Sequence, residues 1–128
     1  MEYANRHLPP IRDRLTLIET ETEIVPGIHA IAAPGHTPGH MALSIVSDGE
    51  QLLNIVDTVI HPIHMEQPTW TAAVDLLPEK TIETRRRLLH RAASEKALVF
   101  VYHFPSPGLG HVVTYGDSWR WQPINEDG

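Results

Sequence analysis

Cysteine is absent from this 128-residue chain. Its absence excludes a disulfide framework and any thiolate metal site. A transition-metal centre here must therefore be built from imidazole and carboxylate, a donor set that suits zinc, iron, manganese or nickel. Runs of basic residues interleaved with aromatics are also missing, and the formal charge is −6. That balance argues against nucleic acid or an anionic membrane as a partner. No apolar run approaches membrane-spanning length, and Met1-Glu2-Tyr3-Ala4-Asn5-Arg6-His7 is not a signal peptide. The cytoplasm is the default expectation. Several catalytic signatures are absent too. There is no H-E-x-x-H helix, no G-x-S-x-G elbow, no P-loop and no G-x-G-x-x-G.

What is present is an ordinary globular balance, 41% apolar and 20% charged, enough for one small domain. Two counts stand out. Nine histidines are many for this length, and eleven prolines imply many loops.

Residues 1–14 are polar, contain Pro9-Pro10, and read as an irregular lead-in. Leu15 to Glu19 and Thr22 to Val25 read as short strands, followed by a Pro26-Gly27 turn. Ile28 to Ala33 is a half-buried strand that delivers Pro34-Gly35-His36-Thr37-Pro38-Gly39-His40, a stiff loop that presents two imidazoles. Met41 to Val46 and Gln51 to Val56 form a hairpin that ends at Asp57. A proline-punctuated excursion runs from His61 to Leu77 and contains His61, His64, Trp70 and Asp75; long loops inside compact domains are usually functional or mobile. Pro78 opens a helix to about Lys96, with Ile82, Leu88, Leu89 and Ala92 as its apolar stripe. Ala97 to Tyr102 is a buried strand ending at His103. A terminal hairpin, His111 to Tyr115 and Trp119 to Pro123, turns at Gly116-Asp117.

Three metal-compatible side chains, His36, Asp57 and His103, therefore sit just past the ends of three apolar strands. Where such strands share a sheet and a direction, their end residues converge on one edge. Two imidazoles and a carboxylate suit zinc or iron, and a carboxylate can bridge two ions. His40 could bind metal, but a brace of the loop or an indirect support of the metal site is the favoured reading. His61 and His64 either line a pocket or lie on the surface. His90 and His111 are structural or solvent-facing, Trp70, Trp119 and Trp121 are packing anchors, and Arg85-Arg86-Arg87 is a solvated helix face.

The set Gly35-His36-Thr37-Pro38-Gly39-His40, Asp57, and His103-Phe104-Pro105-Ser106-Pro107-Gly108-Leu109-Gly110-His111 resembles the metallo-β-lactamase superfamily. The likeness is to its methyl parathion hydrolase-like and lactonase-like members and covers about residues 23–124. The resemblance implies an α/β (α+β) fold, the αββα sandwich, with two metal ions, commonly Zn2+, in the complete site. It implies that His36 ligates the first ion, that Asp57 bridges both, and that His103 ligates the second. It further implies a metal-bound hydroxide attacking an ester, lactone or phosphoester, with His61 to Trp70 lining the pocket of a small-molecule substrate. No individual catalytic residue follows from it.

Two departures shape the expectation. The family's H-x-H-x-D-H motif is not in these residues, and Val56 precedes Asp57 where the family normally has glycine. Residues 1–128 are thus expected to be the C-terminal half of such a domain, with one sheet face uncovered. A face of that kind calls for an N-terminal half or a second copy of the chain. The alternative is a non-catalytic fragment or interaction module that keeps the fold. A small cupin-like barrel is disfavoured by the central helix and the absence of any H-x-H pair.

Overall fold

In the computed structural model, which describes residues 2–125, the organising element is one seven-stranded sheet with its strands in sequence order. Two short helical turns precede it, α1 (Glu2–His7) and a 3-10 turn (Pro9–Arg14), and neither buries a residue. The lead-in is therefore more regular than its prolines suggest. Leu15 to Glu19 is not a strand, because no partner edge reaches it: the sheet begins at β1 (Thr22–Val25). Next come β2 (Ile28–Ala32), β3 (Met41–Ser47) and β4 (Glu50–Asn54), paired as an antiparallel meander.

From β4 the chain passes through a 3-10 turn (Val56–Thr58), the excursion with its one-turn helix α2 (Ile63–Glu66), and the long helix α3 (Pro78–Glu95). It re-enters the sheet as β5 (Leu98–Phe100), parallel to β4. The antiparallel hairpin β6 (Leu109–Tyr115) and β7 (Ser118–Pro123) completes it. Two antiparallel steps from β2 to β4 and one parallel step to β5 leave β2, β4 and β5 pointing the same way. Their C-terminal ends share one edge.

Helix α3 starts at Pro78, whose missing N–H is no loss at a helix start, with Glu79 at the positive end. It stops at Lys96, whose left-handed backbone (φ 51°) returns its N–H to the Ala92 and Ala93 carbonyls. Leu88, Leu89 and Ala92 pack against Ile31, Ala42, Leu53, Val99 and Val112 from the sheet. The first half of the helix differs from the expected stripe. There the buried side chains are Thr81, Thr84 and Arg85, while Ile82 is only half-buried. Arg85 is fully buried, so it is not part of a solvated helix face.

Because strand partners share a face, the register also defines the opposite side of the sheet. Ile28, Ile45, Leu52 and Leu98 form one row across it, and Ala30, Leu43, Asn54, Phe100 and Leu109 form the next. Most of these apolar side chains are only half-buried, in contrast to the closed α3 side. No described helix is long and apolar enough to cross a membrane.

Candidate metal centre

The histidine loop closes on itself after β2. Ala33 N–H donates to the His40 carbonyl at 2.8 Å, and Gly35 N–H donates to that of Thr37 at 3.0 Å. The Thr84 hydroxyl donates to the Pro34 carbonyl at 2.6 Å, tying the loop to α3. From the far end of the excursion, Leu76 N–H donates to the His36 carbonyl (3.1 Å) and Leu77 N–H to that of Gly35 (2.9 Å). The backbone of His36 is thus clamped on both sides.

Asp57 sits in the middle of the 3-10 turn after β4, reached through Val56 at φ 44°. Its backbone N–H points at His40 Nε2 (3.4 Å), while His40 Nδ1 lies 3.0 Å from the Ala33 carbonyl. A carbonyl can only accept, so His40 carries its proton on Nδ1 and accepts the Asp57 N–H through Nε2. Burial lowers the His40 pKa, although the Ala33 bond opposes this, and a neutral ring suits both contacts. With both ring nitrogens engaged by backbone, His40 braces Asp57 against the histidine loop.

His103 lies in the tight turn after β5, which ends at Phe100, earlier than the sequence suggests. The turn is closed by Phe104 N–H to the Val101 carbonyl (3.2 Å) and Val101 N–H to the Gly108 carbonyl (2.9 Å). Gly108, at φ +68°, is required here, because a Cβ on it would stand 2.6 Å from the Val101 carbonyl oxygen.

The three side chains meet at Asp57. His36 Nε2 faces Asp57 Oδ2 at 3.4 Å, and His103 Nε2 faces Asp57 Oδ1 at 3.0 Å. On the other side of the His36 ring, Nδ1 lies 3.1 Å from Asp75 Oδ1. The Asp75 side chain is 2% exposed, and its Oδ2 accepts the Ala72 N–H at 2.9 Å. An ionised carboxylate only accepts, so the His36 proton belongs on Nδ1. That leaves the Nε2 lone pair aimed at another acceptor, Asp57 Oδ2, a pairing that is favourable only with a proton or a cation between them.

Metal geometry meets that condition. Adjacent tetrahedral ligands with bonds near 2.0–2.1 Å stand about 3.3 Å apart. The 3.4 Å His36–Asp57 contact matches this spacing, while the 3.0 Å His103–Asp57 contact is somewhat shorter. The donor set therefore fits two cation positions, one on each oxygen of Asp57. Each has two donors from this chain. Among the described residues, no three histidine or acidic side chains gather as a group able to hold one ion.

The other candidates lie apart from this contact set. His61 is exposed and accepts the Ile63 N–H through Nδ1. His64 is buried in α2, its Nδ1 without a hydrogen-bond partner, and its pKa is lowered by burial and then by the Arg85 charge. Trp70 is exposed, unlike the buried Trp119 and half-buried Trp121, so it anchors no packing. Sequence reasoning assigned no role to Asp75, whose contact with His36 spans 39 residues and leaves no local trace. Arg85 donates to the carbonyls of Thr58 (2.9 Å), Pro68 (2.9 Å) and Trp70, pinning the excursion beside Asp57. It could have been found: Thr81, Arg85, Leu88 and Ala92 share one helical face.

No family model matches the chain. Over 89 residues it is 34% identical to the N-acyl homoserine lactonase AiiA of Bacillus thuringiensis subsp. kurstaki, a match covering 68% of this chain and 34% of that protein. A lactonase from Bacillus cereus is 31% identical over 88 residues. Among solved structures, AidC, a dizinc quorum-quenching lactonase in complex with the product N-hexanoyl-L-homoserine, aligns with a TM-score of 0.82 and 26% identity. The hydrolase AbOPH of the β-lactamase superfamily aligns with a TM-score of 0.80, again at 26% identity. These alignments cover 97% of this chain and 45% and 44% of the two structures. The chain spans about a third of the length of the curated lactonases it matches.

Proposed function

Since this chain belongs to the metallo-β-lactamase superfamily, we propose that it carries one half of the metal centre of a hydrolase acting on a lactone or related ester. The observation that carries this reading is the pair of imidazoles on opposite oxygens of Asp57. His36 and one carboxylate oxygen would hold the first ion, and His103 and the other oxygen the second. Zinc suits these donors, and iron or manganese would also be accepted. When bound, such ions supply Lewis-acid polarisation of the scissile carbonyl and acidify water. The chain's own residues do the positioning. The clamped loop fixes His36, His40 holds the backbone of Asp57, and the turn closed by Gly108 presents His103 at the mouth of the site. The choice of a lactone or ester follows the relatives that hydrolyse N-acyl homoserine lactones. A phosphoester fits the same arrangement.

Two donors per ion are too few for a tight site, so the remaining ligands come, in this reading, from a partner segment. The half-buried apolar rows of the second sheet face give that segment a place to dock. A separate N-terminal half carrying H-x-H-x-D-H or a second copy of the chain would each cover that face.

The test is zinc bound at equilibrium dialysis, read by elemental mass spectrometry against the dialysate, beside His36→Ala, Asp57→Asn and His103→Ala variants. Bound zinc in the wild type, reduced in all three, is expected. Zinc in the three variants equal to that in the wild type would overturn the assignment. The non-catalytic alternative draws on the same two-donor count. It predicts metal binding without lactone hydrolysis even when an H-x-H-x-D-H half is supplied in trans.

A further inference from the structure

The excursion between Asp57 and α3 does more than connect two elements. Its last residues lie along the histidine loop and make three contacts with Gly35 and His36. Two come from backbone N–H groups, those of Leu76 and Leu77, and one from the Asp75 carboxylate. The backbone bonds fix where His36 sits. Only the carboxylate touches the ring, and it touches the nitrogen that faces away from Asp57.

From this contact we infer that Asp75 is a positioning residue. It holds His36 in the Nδ1–H tautomer and so keeps the Nε2 lone pair free toward the Asp57 side. The inference rests on the metal-site reading above for its purpose, but not for its geometry. A neutral imidazole in water favours neither use of its nitrogens strongly. Of the two carboxylates facing the His36 ring, Asp75 is the nearer and the more buried, at 3.1 Å against 3.4 Å for Asp57, so it decides the tautomer. The carboxylate is itself oriented, because the Ala72 N–H occupies its second oxygen. Arg85 also lies close enough for the Asp75 charge to oppose the lowering of the Arg85 pKa by burial. The loop thus delivers an oriented anion to the back of a metal-facing ring, the arrangement that fixes ring orientation and raises ligand basicity at metal sites generally.

Replacing Asp75 with asparagine makes the inference sharp. The Ala72 N–H still demands an acceptor, so the amide oxygen turns to it and the amide NH2 is left facing His36 Nδ1. That nitrogen must then accept, and the proton moves to Nε2, where it blocks the lone pair. Asp75→Asn therefore inverts the tautomer, and Asp75→Ala, which leaves Asp57 Oδ2 as the carboxylate facing the ring, shifts it toward Nε2–H as well. A merely structural role for Asp75 predicts no inversion.

The measurement is the long-range 1H–15N histidine spectrum of the metal-free chain at about pH 9, above the ordinary imidazole range. His36 is assigned by comparison with His36→Gln. The wild type is expected to show Nδ1–H and Asp75→Asn to show Nε2–H. Zinc affinity, read separately by competition with a chelating dye, is expected to fall about 10–100-fold in Asp75→Asn. An Nε2–H tautomer of His36 in the wild type overturns the inference, even if neither variant folds. A wild type with Nδ1–H that binds no zinc leaves the inference standing and counts against the metal-site reading instead.

Discussion

Gly35 lies against the first turn of α3 so closely that a Cβ on it would stand 2.5 Å from both the N and the Cα of Thr81. Its φ of +147° is also a conformation that glycine adopts far more easily than other residues. The glycine before His36 is therefore a packing requirement as well as a turn residue. Gly35→Ala must move a helix backbone, which no side-chain rotation can relieve. It is expected to lower unfolding free energy by about 2–4 kcal/mol, strain and overpacking together. Urea titration followed by circular dichroism reads this directly, and a loss below 0.5 kcal/mol would contradict the close packing.

Arg85 offers a second test, because its guanidinium is buried yet serves three backbone carbonyls. Arg85→Met keeps the aliphatic stem and removes every donor, stranding the Thr58, Pro68 and Trp70 carbonyls. A loss of about 3 kcal/mol or more is expected, since each charged hydrogen bond is worth about 1.5–3 kcal/mol. Hydrogen exchange should rise first in residues 59–77, the segment those carbonyls anchor. Unchanged protection there would mean that the excursion holds itself in place.

These two positions show what was and was not legible in the sequence. The order of strands from 22 to 123 and the single long helix follow from apolar runs punctuated by Gly, Pro and Asp, which are local signals. The ends of β2, β4 and β5 share one edge because the connections between them force that direction. Leu15 to Glu19 has an apolar alternation but no neighbouring strand, and pairing is not a property of a segment alone. Arg85 was hidden inside an Arg-Arg-Arg triplet, where composition suggests solvent and only helical phase reveals burial. Asp75 belongs to a contact that depends on how a long loop returns, which no spacing rule encodes.

Val56 carries a third prediction. At φ 44° a β-branched residue occupies left-handed backbone just before Asp57. Comparing Val56→Gly with Val56→Ala cancels the packing of the lost side chain. At an ordinary position alanine is the more stable of the two by about 0.5–1 kcal/mol. Here the order should reverse, with the glycine variant ahead by about 1 kcal/mol, because a Cβ costs about 1–2 kcal/mol in this region. Alanine remaining ahead would mean that the turn relaxes to an ordinary conformation.

His64 ties stability to pH. Burial disfavours its charged form, the Arg85 charge adds to this, and its Nδ1 has no partner to stabilise a proton. Its pKa in the folded chain therefore lies below the ordinary 6.5. Between the two values the unfolded chain binds more protons than the folded one, so stability rises with pH across that window. The full contribution of this group is present above about pH 6.5 and is lost as the pH falls toward the lowered value. His64→Leu removes both the titration and the unpaired nitrogen. The variant should match or exceed the wild type in stability at pH 5.5, and its dependence on pH between 7 and 5.5 should be flatter. Parallel pH profiles for the two proteins would show that the acid sensitivity arises elsewhere.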